Sequence, residues 1–315
     1  MGDEKAGDVP VVEEGRWWRR RPVVVYGFVV AVFIGLGYSF VADMLVNRHI
    51  EALERDAETG IIAGFEPIEL GNKAGKRAVL MVHGFIGAPD CFGELPKVVA
   101  DEGWYVHSML VEGHGTSPRD FEKTSAEDML AGVKAELARL QAEYETVVVV
   151  GHSMGGALST LAVSELGADG LVLVAPFFGL SVPAPMGLIR VAARVAAPAV
   201  RWAPSRPGGA PVAKRENRSK VNHYHWIPMQ GVLAALEVER QANDAAVLEG
   251  VTCPVLLLHS KKDRVTSPKA SQKAFDKLGS GDKSKVIYER SNHVLHWDYD
   301  AEAANEEVAK FLGGI

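Results

Sequence analysis

The 315-residue chain has only two cysteines, Cys91 and Cys253, far apart and outside any C-x-x-C pair. Neither a zinc site nor a dithiol redox motif is supported. They read as two small buried side chains, with a single disulfide as the alternative. An excess of positive charge is also missing: 34 Lys and Arg face 40 Asp and Glu, a net of −6. This excludes a chain built as a whole to bind nucleic acid. No internal repeat is present. What the chain does have is apolar material, 47% of residues against 23% charged. That is enough for a buried core and too much for a disordered protein.

The apolar material begins with a block. Val23 to Ala42 carry no charge over 20 residues. As a helix, such a run rises about 30 Å, the thickness of a bilayer's hydrocarbon core. Arg16-Trp17-Trp18-Arg19-Arg20-Arg21 precedes it. Arginines beside a span hold that end in the cytoplasm, and tryptophans favour the headgroup layer. A cleaved signal peptide competes, but its apolar stretch is about 7–15 residues, and no A-x-A site follows here beyond the weak Gly37-x-Ser39. The expectation is a single-pass protein: a cytoplasmic tail over 1–22, an uncleaved transmembrane anchor over 23–46, and a connector over 47–76. The catalytic domain then lies outside the cytoplasm.

From Lys76 onward strands and helices alternate. Lys76–His83, Trp104–Val111, Thr146–Val150, Gly170–Ala175, Pro254–His259 and Lys285–Tyr288 read as strands. In Thr146–Val150 all residues but the first are valine, which suits a central parallel strand buried on both faces. Helices are expected over Cys91–Asp101, from an N-cap at Ser125 to about Tyr144, over Met154–Leu166 and over Ala301–Leu312. The alternation predicts an α/β fold, a mostly parallel sheet covered by helices on both faces, over 77–176 and 252–315. Between them, 177–251 is rich in proline and reads as a cap or lid insertion. Within it, Arg190, Arg194 and Arg201 share one face of a predicted helical stretch. A basic amphipathic segment of this kind can lie on a membrane surface; a solvated arginine face is the alternative.

Gly151-His152-Ser153-Met154-Gly155 fits G-x-S-x-G. It follows the valine strand and precedes a helix, the strand–turn–helix setting of a nucleophile elbow. The turn is tight enough to demand small residues at 151 and 155. A glycine-rich turn with a capping serine is the bland alternative. A serine hydroxyl needs a base to take its proton. In elbow-type proteins the acid and then the base follow the serine along the chain. Asp263 follows one strand and His293 follows the next, which gives that order. His296 competes with His293 but lies further from its strand. Asp298 follows His296 too closely to orient it, and His259 reads as a packing residue. The backbone N–H groups of Met154 and Phe85 are the candidate oxyanion donors, and Gly84 lets the backbone come close.

His83-Gly84-Phe85, Gly113-His114-Gly115-x-Ser117, the elbow, Asp263 and Ser291-x-His293-Val together resemble the α/β-hydrolase superfamily, in particular its monoacylglycerol lipase and bacterial carboxylesterase branch. The resemblance covers roughly residues 78 to 312. It implies the α/β-hydrolase fold, with Ser153, Asp263 and His293 as a catalytic triad and Gly84, Phe85 and His152 against the substrate. It implies hydrolysis of a small-molecule or lipid ester through an acyl-enzyme, with no metal and no organic cofactor. The Gly113–Ser117 loop is implied to shape the site, with His114 structural. An acyltransferase, an amidase or peptidase, and a non-catalytic binding protein on the same fold stay open as rivals. The N-terminal span is not part of the family pattern.

Overall fold

The computed structural model describes residues 17–205 and 209–315, with the side chains of 17–25, Phe28 and Ala31 outside the described set. A 35-residue helix α1 (Trp17–Glu51) leads into the sheet. Then follow β1 (Ile68–Gly71), β2 (Arg77–Val82), α2 (Leu95–Asp101), β3 (Tyr105–Met109), α3 (Pro118–Lys123), α4 (Ala126–Glu143), β4 (Thr146–His152), α5 (Met154–Leu166) and β5 (Gly170–Val174). The segment after β5 carries α6 (Met186–Ala196), a two-stranded hairpin of β6 (Trp202–Pro204) and β7 (Trp226–Pro228), α7 (Met229–Ala242) and α8 (Ala245–Gly250). The chain closes with β8 (Val255–Ser260), α9 (Pro268–Asp276), β9 (Lys283–Tyr288) and α10 (Ala301–Leu312).

The main sheet has the order β1-β3-β2-β4-β5-β8-β9. Every neighbouring pair is parallel except β1 with β3. Its inner strands β2, β4, β5 and β8 are buried on both faces, with side chains alternating between two cores. Val147 and Val149 of β4 join one core while Val148 and Val150 join the other. Leu257 and Leu258 of β8 divide in the same way. Burying each such side chain contributes about 1.5–3 kcal/mol, which is why a strand with four consecutive valines settles at the centre. Helix α4 starts with a reciprocal capping box between Ser125 and Asp128.

Three expectations change. The connector holds an edge strand, β1, whose mostly exposed Ile-Glu-Leu-Gly has no apolar run to announce it. The helix expected over Cys91–Asp101 splits into a 3-10 turn (Pro89–Phe92) and α2. Gly93 forces the break: its φ is +54°, and a Cβ there would lie 2.5 Å from the His296 carbonyl. Of the expected arginine face only Arg194 is exposed and without an ion pair among the described residues, and Arg201 lies beyond the end of α6. Arg190 pairs with the buried Glu239, and Arg201 pairs with Glu122 and Asp43. The exposed strip of α6 is apolar instead: Leu188, Val191 and Val195.

Among the described residues no helix is long and apolar enough to cross a membrane. The expected span over 23–46 lies inside α1, but it begins in side chains outside the described set, as does residues 1–16 of the expected cytoplasmic tail. The C-terminal half of α1 is fastened to the cap. Asp43 accepts hydrogen bonds from Arg201 and Trp202, and Ala42 and Val46 pack with the buried Trp202. Both cysteines are free thiols.

Candidate active site

Four loops at the carboxyl ends of parallel strands bring the site together, where α/β sheets hold their ligands. Ser153 follows β4 at the sharp turn into α5, with φ +55°. A Cβ on Gly155 would lie 2.0 Å from the Val82 carbonyl oxygen, and one on Gly151 2.6 Å from the Gly155 carbonyl oxygen. Only glycine fits at either position, so the G-x-S-x-G spacing is a steric demand of the turn.

His293, after β9, places Nε2 2.9 Å from Ser153 Oγ. Its Nδ1 lies 2.8 Å from Oδ2 of Asp263, which follows β8. Asp263 is fixed on its other side as well. Its Oδ1 accepts the N–H groups of Val265 and Thr266 at 2.7 and 3.0 Å, and its Oδ2 accepts the Thr266 hydroxyl at 2.9 Å. Burial pushes the Asp263 carboxyl up, but the charge and hydrogen bond of His293 outweigh it and hold it at about 2. The acid is ionised at neutral pH, so Nδ1 of His293 carries the proton and Nε2 offers its lone pair to the serine. This chain can take a proton from Ser153.

The backbone N–H groups of Met154 and Phe85 have no acceptor among the described residues. Phe85 lies in the loop after β2, beside Gly84, where a Cβ would come 2.9 Å from the Ser153 Cβ. Two buried histidines hold this loop. His83 donates from Nδ1 to the Gly84 carbonyl and accepts at Nε2 from Val111 N–H. His114 Nε2 accepts from Ile86 N–H at 3.1 Å. Burial keeps both neutral, with pKa values pressed to about 3 and about 4.

The site opens into a cavity of about 230 Å³. Gly84, Phe85, His152, Ser153 and His293 line it, as do cap residues such as Val221 and Ile227. His152 stands behind the base, with Nε2 3.2 Å from the His293 carbonyl, and burial drives its pKa well below the usual imidazole range. The competitors lie elsewhere. His296 bonds Asn305, Asp298 caps the amides of Asn292, Ala213 and Lys214, and His259 is fully buried behind Asp263. Among the described residues no cluster of three or more His, Cys, Asp or Glu side chains is arranged to hold a metal.

The sequence reading missed Thr266 and the cap wall. Thr266 had a signal: Asp-x-x-Thr after a strand is the pattern of an Asx turn. The cap wall had none, because long-range packing decides which of its residues face the site.

A strained serine at the elbow, an acid and a histidine in turn behind it, and a parallel sheet beneath define a serine hydrolase of the α/β-hydrolase class. The family model described as "Serine aminopeptidase, S33" matches residues 73–300, and the chain belongs to that family. The chain is 28% identical over 259 residues to the thermostable monoacylglycerol lipase of Bacillus sp. (strain H-257), covering 80% of this chain and 96% of the relative. It is 24% identical over 243 residues to a carboxylesterase of Bacillus subtilis (strain 168), covering 76% and 94%. A solved structure from the metagenome-derived lipolytic enzymes LipS and LipT aligns with a TM-score of 0.73 at 24% identity, over 81% of this chain and 100% of that one. At that identity the structural likeness shows the fold alone.

Proposed function

We propose that the protein cleaves carboxylic esters of the acylglycerol type through an acyl-enzyme. The observation that carries this is the unbroken chain from Ser153 Oγ through His293 to Asp263, at 2.9 and 2.8 Å. Ser153 Oγ attacks the carbonyl carbon as its proton passes to His293 Nε2. The oxyanion takes the N–H groups of Phe85 and Met154, each worth about 3–4 kcal/mol in such a site. The C–O bond breaks and the alcohol leaves with the proton from His293. Water then attacks the acyl carbon, gives its proton to His293, and the serine leaves with that proton as the acid is released.

The family's peptidase description raises amide hydrolysis as a second reading. An aminopeptidase must hold the α-ammonium of its substrate, which calls for a carboxylate. No Asp or Glu lines the cavity at Ser153 among the described residues, and its lining is mostly apolar. That favours an acyl chain. The test is stoichiometric labelling of Ser153 by a fluorophosphonate, followed by turnover of p-nitrophenyl esters and monoacylglycerols of graded chain length. Absence of labelling, or cleavage of aminoacyl anilides faster than of esters, would overturn the reading.

The same proposal places the protein on a membrane through α1, with the N-terminus cytoplasmic and the hydrolase on the other side. Its support is the uncharged run Val23–Ala42 and the exposure of Tyr26, Phe33, Ile34 and Phe40, at 67 to 72%. Leu188, Val191 and Val195 of α6 add a second exposed apolar strip. Release of the full-length chain by alkaline carbonate would sink this part.

A further inference from the structure

Two cavities meet under the cap. The first is the apolar one at Ser153. The second, of about 680 Å³, shares with it the wall formed by Ser205, Gly209, Val221, Asn222 and His223. Beyond that wall its lining includes Arg215, Arg218 and Ser219 and, among the described residues, no Asp or Glu. Glu216, the acid of this segment, does not line it.

Arg119, Arg139, Arg190, Arg201 and Arg240 are each neutralised by a carboxylate, while others among the described residues, such as Arg77 and Arg194, share with Arg215 and Arg218 the lack of one. Among the described residues neither Arg215 nor Arg218 has one within ion-pair distance, in a chain of net charge −6. The segment that bears them is tied down. Arg218 donates from Nε to the Val212 carbonyl at 2.7 Å, which leaves its terminal amino groups without an acceptor among the described residues. Its own carbonyl accepts Ala210 N–H at 3.1 Å, and Asn217 donates to the Trp297 carbonyl at 2.7 Å. Guanidinium groups on an anchored segment, without a carboxylate partner, suit a planar or tetrahedral oxyanion.

We propose that this second cavity holds an oxyanion, phosphate or carboxylate, on the alcohol half of the ester whose acyl half is attacked by Ser153. The inference rests on the ester-hydrolase reading and narrows its substrate to anionic acyl esters. In this arrangement one molecule lies across the residues that border both cavities, with its acyl chain on the apolar side and the charged end of the leaving alcohol on the arginine side.

The experiment compares three esters with one acyl chain: a monoacylglycerol, its 3-phosphate, and an acyl ester of glyceric acid. The full-length protein should favour one or both anionic esters in kcat/KM by about tenfold or more, the effect of a charge-assisted hydrogen bond. Preference for the phosphate ester alone identifies phosphate, preference for the glyceric acid ester alone identifies carboxylate, and preference for both shows a site that takes either. The Arg215→Gln/Arg218→Gln double variant should lose about tenfold of that preference, mainly through KM. Lys220→Gln, which removes one positive charge of the same segment from outside the cavity lining, should keep it. Raising salt from about 50 to about 500 mM should weaken the preference in the unaltered protein, a readout independent of how the variant folds. Equal turnover of neutral and anionic esters, a preference indifferent to salt, or an equal loss on all three esters in the double variant would overturn the proposal. Failure of the parent reading looks different: no ester is cleaved and Ser153 is not labelled.

Discussion

Replacing Asp263 with asparagine tests the hydrogen-bond chain at its innermost link. Oδ1 of Asp263 faces two amide donors, so an asparagine must put its carbonyl oxygen there. Its NH2 group then occupies the place of Oδ2, 2.8 Å from His293 Nδ1. Two donors cannot face each other, so Nδ1 becomes the acceptor and the ring proton moves to Nε2. The lone pair aimed at Ser153 disappears while every heavy atom stays in place. The corresponding change in a serine protease lowers kcat by about 10⁴, close to 5–6 kcal/mol. A similar fall is expected here, both in ester turnover and in the rate of fluorophosphonate labelling.

The same substitution has a stability signature. The carboxyl is held at about 2 against an ordinary 3.8. A depressed carboxyl pKa means that the folded state prefers the ionised form. The stabilisation, about 2 kcal/mol, is fully present above about pH 4 and fades as the pH falls towards 2. Denaturation of the two proteins should therefore differ at pH 7 and converge near pH 2. A variant that retains more than about a tenth of the wild-type kcat, with its fold intact, would refute the assignment of Asp263 and the reasoning built on it.

His293→Ala should lower kcat by about 10³ or more, whereas His296→Ala should keep most activity and lose about 1–3 kcal/mol because Asn305 is left unpaired; steady-state kinetics and melting curves separate the two, and the opposite pattern would overturn the choice of base. Gly155→Ala would drive a Cβ to 2.0 Å from the Val82 carbonyl oxygen. A loss of about 3 kcal/mol or more is expected, read by denaturant unfolding, and a fully stable, active variant would contradict the elbow geometry. Burial raises the Asp90 carboxyl to about 6, so the folded state prefers the protonated form and this group's contribution falls as pH rises from about 4 to 6. Asp90→Asn should accordingly gain about 2–3 kcal/mol relative to wild type at pH 7 and little at pH 4; no pH dependence in that difference would refute it.

The sheet was legible because burial on both faces writes itself as unbroken apolar runs, such as Thr-Val-Val-Val-Val in β4. The site was legible for a different reason. The elbow's glycines are dictated by clashes of 2.0 to 2.6 Å, and the order Ser153, Asp263, His293 follows from strands that all end at one edge. The edge strand β1 was not legible, since half-exposed Ile-Glu-Leu-Gly carries no period. The arginines of the cap misled because a helical wheel shows which residues share a face but not what that face meets. Arg190 meets Glu239, 49 residues on, and that partner cannot be found by local spacing.

One consequence of the packing joins the parts that the sequence kept separate. Ile86, next to the proposed oxyanion donor Phe85, sits at φ +54°, costly for a β-branched residue. It is held from two directions. His114, from the Gly113–Ser117 loop, accepts its N–H, while Tyr224 N–H, from the cap, donates to its carbonyl at 2.8 Å. The neighbouring cap residues extend the seam: His223 bridges Gly87, and Asn222 donates to Asp90. The cap segment that walls both cavities is therefore bonded to the loop that aims the Phe85 amide. A ligand that presses on Val221–Tyr224 acts on the oxyanion donor through two or three hydrogen bonds, without reaching Ser153 itself. Changes in the cap should then alter kcat as well as KM, because the wall that selects the substrate and the loop that stabilises the intermediate share one backbone seam.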